Sequence, residues 1–427
     1  MFKKILGTIG TRIFTAVLSF IIWILNAHYL GPEKVGTISL IIFSVAIIQL
    51  FTNFVGGGAL IYMTPRVGIF KLFIPAYVWT LVVTTLTSFL ISFLGKKFPI
   101  MEIIPAGYFL HVLFLALVMS FASVNNMFLL GLEKVSSFNY TSLFQVIVLF
   151  LILLLWLFGI RLFDVMAYYW AIFISYSLAF CISLLMLFPS FKRVPLTGMK
   201  SLILQILRYG TYVQFANIFQ TLNYRLGLKF VDFFKGRAAV GVLSIGLQLA
   251  EGLWLISRSI STVQYSRLSN EMNFDYSVRL TLTMAKITWV VTGFAMLILL
   301  SIPDMVFTSL FTSKFGDLKL VIASLAVGIV ALSVSMIFSG FFSGINKPYH
   351  NTISSAIGLV FTLGLGLMLI PKFGIIGAGI SATFSYSFAT LYQFIIFSRI
   401  TKLTARDFLL TKTEIRILFS EIKKITT

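Results

Sequence analysis

Four charged side chains stand inside stretches otherwise fit for hydrocarbon: Arg12, Arg225, Glu251 and Arg258. A charge at membrane depth costs about 2.5 kcal/mol or more on insertion scales, so such groups face a protein interior or a water-filled cavity. Three of the four are arginines, whose guanidinium groups hold phosphate oxygens through paired, charge-assisted hydrogen bonds. The chemistry on offer is therefore anion recognition. Glu251 is the competing group, able to neutralise an arginine in the empty site, to carry a coupling proton, or to serve as a plain structural partner.

Uncharged polar residues extend the pattern at helical spacing. Thr8, Arg12, Thr15, Ser19, Trp23 and Asn26 fall on one face of the first apolar run. Gln49, Thr52, Asn53 and Gly56 cluster in the second, and Gln214, Asn217, Thr221 and Arg225 in a run near the middle of the chain. Ser244, Gln248, Glu251, Arg258 and Thr262 form one stripe on the run after that. For the uncharged members, lining a polar lumen and hydrogen-bonding between packed helices both stay open. The charged members favour a lumen, because helix packing does not require charge.

Metal and redox chemistry find no such pattern. His28, His111 and His350 have no partner at ligand spacing. Cys181 is the single cysteine and lies in an apolar run, where it reads as a small buried hydrophobe. No metal and no cofactor is expected.

The elements that must position these residues follow from composition. The chain has 427 residues, of which 59% are hydrophobic and 11% charged, the balance of a membrane protein. A helix needs about 20 apolar residues to cross the hydrocarbon. The sequence predicts twelve such helices, over 10–30, 37–63, 72–94, 106–130, 138–158, 165–188, 206–230, 239–263, 281–302, 318–342, 350–370 and 376–400. The first reads as a retained span rather than a cleaved signal peptide, since Trp23 to Tyr29 is bulky and leads directly to the second. Alternating the loops puts 22 of the 33 Lys and Arg on the side of the termini, which makes both termini cytoplasmic. The net charge of +20 is then largely topological, set against anionic headgroups. A nucleic-acid partner would need a folded polar domain, and the short loops leave no room for one, nor for an extramembrane catalytic domain.

Three joints recur in order. YLGPEKVGTIS at Tyr29 is echoed by KGRAAVGVLSIG at Lys235, GLEKVSSFNYTS at Gly131 by GINKPYHNTISS at Gly344, and FISYSLAF at Phe173 by TFSYSFAT at Thr383. Two copies of one six-helix unit explain this. Six is even, so the copies are parallel repeats about an axis along the membrane normal, a design suited to rocking about a central site. The expected organisation is an all-α membrane protein with bundles over 1–200 and 201–400. A basic amphipathic tail follows over 401–427, with Phe408, Ile415, Leu418 and Phe419 on one side and Lys412, Arg416, Lys423 and Lys424 on the other. Spans one, two, seven and eight are the leading pairs of the two repeats, and they carry the polar stripes.

At this point the chain resembles the polysaccharide (O-antigen type) flippases of the multidrug/oligosaccharidyl-lipid/polysaccharide (MOP) superfamily. The resemblance rests on the striped first span, AHYLGPEKVGTISLIIF and FVGGGALIYMTPR, and on LQILRYGTYVQFANIFQTLNYRLGLKF followed by GRAAVGVLSIGLQLAEGLWLISRSI. It implies two helical bundles in a bacterial inner membrane and a non-enzymatic task, moving undecaprenyl-diphosphate-linked sugar units from the inner to the outer leaflet. Arg12, Arg225 and Arg258 would hold the diphosphate, and Asn26, Gln49, Asn53, Gln214, Asn217 and Gln248 would meet sugar hydroxyls. A coupling ion, H+ or Na+, and a polysaccharide polymerase complex are compatible partners. Two rival functions stand beside this one. A cation extruder of the same superfamily commonly uses an acid in its first span, where this chain has Arg12. A membrane polymerase or ligase resembles proteins with a large catalytic loop, which is lacking here.

Overall fold

The computed structural model describes residues 2–99, 102–191, 199–268, 273–345, 347–403 and 407. The described residues are helical and contain no strand, as a backbone in hydrocarbon requires. In chain order the helices are α1 (Phe2–Gly56), α2 (Gly58–Val67), α3 (Ile69–Lys97), α4 (Phe109–Gly131), α5 (Val135–Leu154), α6 (Val165–Leu187) and α7 (Met199–Lys235). They continue as α8 (Arg237–Glu251), α9 (Trp254–Leu268), α10 (Phe274–Ser301), α11 (Asp304–Phe311), α12 (Leu318–Gly344) and α13 (Tyr349–Thr401). Among the described residues, eight helices are long and apolar enough to cross a bilayer, and the bent α8–α9 pair can supply a ninth span. The chain is a multi-pass membrane protein. The expected tail falls outside the described residues from 404 onward, except for Asp407.

α1 has 55 residues. At 1.5 Å per residue it is about 80 Å long, more than twice the ~30 Å hydrocarbon thickness. It turns at Gly31, whose φ of 76° and ψ of 173° depart from the helix, and Pro32 follows without an N–H for the preceding turn. The 53 residues of α13 repeat the device with Pro371 and Gly374.

By packing, the chain divides into two compact units, Met1–Ile245 with Asp304–Leu318, and Gly246–Pro303 with Lys319–Thr427. Ile38, Ile48, Leu115 and Leu153 are buried together in the first, and Phe338, Phe341, Phe342 and Phe397 in the second. α11 is an element with no counterpart among the twelve apolar runs. Phe307, Phe311 and Phe315, four residues apart, are all buried. Phe311 meets Phe20 of α1 edge-on at 6.2 Å.

The repeated joints have the same backbone. Gly31 and Gly236 both hold positive φ, 76° and 83°. After Gly131, Leu132 N–H donates to Phe128 O and Lys134 N–H to Leu129 O; after Gly344, Ile345 N–H donates to Phe341 O and Lys347 N–H to Phe342 O. Each pair is displaced by 213 residues, the offset of the joint itself.

Candidate functional site

The first pair of joints is packed against itself. A Cβ on Gly36 would lie 1.9 Å from Arg237 O, and one on Gly241 would lie 1.9 Å from Pro32 O. Adding 205 carries Pro32 to Arg237 and Gly36 to Gly241, so the two contacts are one contact seen from each copy. Ser39 Oγ donates to Ser244 Oγ at 2.9 Å, again across 205 residues. Only glycine permits this approach, which explains why both copies keep a glycine there. Lys34 clasps the rim, donating to Phe163 O and standing 3.7 Å from Asp164 Oδ1. Tyr108 faces the same rim, and its hydroxyl pKa is raised by burial and then by the Asp164 charge, with Arg237 acting against both.

Four of the expected site residues, Gln49, Asn53, Gln248 and Glu251, lie beside helix breaks. α1 stops at Gly56 and α2 starts at Gly58, so the second apolar run is broken at Gly57. Gln49 and Asn53, both half-buried, occupy the last two turns before it. Trp79 Nε1 donates to Thr52 O at 3.2 Å and fixes that turn. On α7, Gln214 is buried, and Asn217, which is exposed, donates from Nδ2 to Gln214 Oε1 at 3.2 Å. Phe54 meets Phe215 edge-on at 6.3 Å, setting these stretches of α1 and α7 side by side. Arg225 is half-buried three turns further along α7. Asn26 is wholly buried, and neither of its amide atoms has a hydrogen-bond partner among the described residues. The side chain of Arg12 lies outside the described residues.

The eighth apolar run departs from expectation. It is not one straight stripe: α8 ends at Glu251, α9 begins at Trp254, and the axis turns by 43° between them. The break is local, since Gly252 N–H still reaches Gln248 O at 3.0 Å while Leu253 N–H falls back to Ala250 O at 3.2 Å. Gln248 and Glu251, both half-buried, close α8, whereas Arg258 belongs to α9 and is exposed. Trp254 anchors the start of α9, donating from Nε1 to Ile329 O at 3.3 Å. The Arg258 guanidinium stands 5.9 Å from the centre of that indole ring, within range of a cation–π attraction. Acid and base thus sit on either side of a glycine break, the arrangement by which discontinuous helices present polar groups at membrane depth.

Two charged residues escape the sequence reading. Lys229, with a side chain 5% exposed, donates to Asp232 Oδ2 at 3.1 Å near the end of α7. The signal is visible in LGLKFVDFF, but a span boundary set at 230 turns an interior charge into a span end. Ser39 and Ser244 were present in the quoted joints and carry no charge to draw attention.

No protein-family profile matches the chain. An uncharacterized membrane protein of Methanocaldococcus jannaschii, MJ1068, is 26% identical over 212 residues, 48% of this chain and 42% of that protein. The chain thus matches less than half of that relative's length. Among solved structures, the lipid II flippase MurJ in an inward closed conformation superposes with a TM-score of 0.73 at 16% identity, covering 95% of this chain and 89% of MurJ. An inward-facing multidrug resistance MATE transporter gives 0.70 at 16% identity, covering 92% and 96%. A MOP-superfamily transporter from Pyrococcus furiosus, described as having a binding pocket of reverse polarity, gives 0.62 at 16% identity, covering 93% and 94%. The chain therefore has the all-helical fold of MOP-superfamily transporters.

Proposed function

We propose that this protein is a flippase that carries undecaprenyl-diphosphate-linked oligosaccharide units from the cytoplasmic to the outer leaflet of a bacterial inner membrane by alternating access. The observation that carries the reading is the self-packed joint: two copies of one element close on each other through glycine and serine contacts. Two six-helix bundles, 1–200 and 201–400, rock about it, with both termini and the basic tail 401–427 in the cytoplasm. Twelve crossings follow if α1 and α13 each count as two spans divided at their glycines, and α7 and the α8–α9 pair as one each. The substrate is anionic because Arg12, Arg225 and Arg258 outnumber Glu251, and guanidinium is the preferred partner of a diphosphate. Asn26, Gln49, Asn53, Gln214, Asn217 and Gln248 supply sugar contacts. Glu251 either shields an arginine or carries a coupling H+ or Na+, and delivery to a polysaccharide polymerase complex is the natural next step.

Extrusion of cationic drugs is the second reading, favoured by the fold likeness to a MATE transporter. A basic lumen repels such cargo. Proteoliposomes loaded with undecaprenyl-diphosphate-linked oligosaccharide and, separately, with a cationic dye decide between them. Protein-dependent appearance of the glycan on the opposite leaflet is expected; dye export with no glycan movement would reverse the assignment.

A further inference from the structure

Lys229 and Asp232 have no role in the site as described. Lys229 lies six residues before the end of α7, about 9 Å along the axis, and its side chain is 5% exposed. An ammonium has three N–H donors. Among the described residues Lys229 engages one partner, Asp232 Oδ2 at 3.1 Å, leaving two donors unspent in a buried position. The other copy of the repeat holds Ile24 and Ala27 at these positions, so packing beneath the joint does not call for an ion pair. Arg225, a residue of the proposed site, lies one turn before Lys229 on α7, at the spacing that makes helix side chains neighbours. Buried donors left without acceptors cost free energy in the resting protein. A positive charge with spare N–H groups fits an oxyanion and repels a cation.

We propose that Lys229 extends the oxyanion site from Arg225 toward the joint, holding phosphate oxygens of the lipid-linked substrate as the joint opens. Asp232 holds the Lys229 charge until the phosphate displaces it. The proposal rests on the flippase reading and adds to it a further phosphate-binding residue, one helical turn from Arg225 toward the joint.

The test uses full-length protein in nanodiscs with undecaprenyl diphosphate as the probe, and inorganic pyrophosphate as a competitor. Asp232→Asn is expected to bind the lipid at least fivefold more tightly than the parent, because the competing carboxylate is gone. Lys229→Met is expected to bind at least fivefold more weakly and to slow flipping tenfold, while Lys229→Arg keeps half the parental rate. The double variant Lys229→Met, Asp232→Leu removes the pair without leaving a buried charge; it should keep the parental melting temperature and still lose the binding. Parental binding and flipping in the double variant would overturn the subsite and leave the flippase reading intact. Tighter binding by Asp232→Asn without flipping by the parent would overturn the flippase reading and leave the subsite. Weaker binding by Asp232→Asn would mark a structural ion pair and overturn the proposal. Competition by pyrophosphate at concentrations equal to the lipid would overturn the lipid as the source of the oxyanion.

Discussion

Ser39 Oγ and Ser244 Oγ meet at 2.9 Å, and they are the same position of the two repeats. Two equivalent atoms in contact lie on either side of the axis that relates the copies, so the midpoint of this hydrogen bond marks the local two-fold of the joint. The flanking contacts obey the same symmetry, with Gly36 on Arg237 and Gly241 on Pro32. A neutral hydrogen bond contributes about 1 kcal/mol net, so the glycine and serine contacts set the register of the joint, while Val35, Ile38, Val240 and Leu243 are buried around it.

Cysteines at 39 and 244 should therefore form a disulfide. Hydroxyl oxygens 2.9 Å apart place the two Cβ atoms near the 3.5–4.5 Å that a disulfide needs. In a Cys181→Ser background, Ser39→Cys with Ser244→Cys should cross-link under mild oxidant and stop transport, and reductant should restore it. Persistent transport by fully cross-linked protein would show that the joint does not open.

Enlarging the glycines should have the opposite effect. Any Cβ at Gly36 or Gly241 meets a backbone carbonyl at 1.9 Å, which no rotamer change relieves. Gly36→Val and Gly241→Val should hold the joint apart, reducing the cysteine cross-link by tenfold or more while the protein still reaches the membrane. An unchanged cross-link would contradict the close approach.

Much of this was legible in the sequence, and the reasons differ by feature. Hydrophobic runs and the three repeated joints have local signatures, so each of the twelve expected runs falls on helix and the offset of 205 reappears as a contact. Helix continuity was not legible. The 43° turn after Glu251 arises from one glycine in an apolar context that elsewhere tolerates glycine within a helix. α11 was missed because eight residues are too few to display a period, and its two phenylalanines acquire meaning only against α1. Among the site residues, Gln214 and Asn217 do meet, whereas the burial of Asn26 without a partner depends on packing that no pattern reports.

The strap formed by α11 offers a stability test. Phe311 is 1% exposed and packs on Phe20, and truncating a buried phenylalanine costs about 3–5 kcal/mol. Phe311→Ala should lower the melting temperature measurably, whereas Met305→Ala, at a side chain 81% exposed on the same helix, should not. Equal effects would mean that the strap contributes nothing through its buried face.

Topology follows from the basic asymmetry of the loops. Reporter fusions at Lys34, Lys97 or Lys235 should report the outer side, and fusions at Lys192 or Lys402 the cytoplasm. The opposite pattern would place the joint on the cytoplasmic side and reverse the direction of the proposed cycle.

The arginines provide the sharpest test of substrate. Arg225 is half-buried on α7, and Arg258 is held on α9 beside Trp254, just past the break that follows Glu251. A guanidinium offers a rigid fork that matches two phosphate oxygens at once, and a lysine offers a single point charge. Arg225→Gln or Arg258→Gln should therefore cut glycan flipping at least tenfold with normal membrane levels, and the lysine variants should recover only part of it. Glu251→Gln should separate two roles. If Glu251 shields an arginine, its removal tightens binding of the diphosphate and leaves the pH dependence of transport unchanged; if it carries a proton, transport loses its response to an imposed pH gradient. Full flipping by the Arg225→Gln, Arg258→Gln double variant would show that phosphate is not recognised by these side chains, whatever the fold transports.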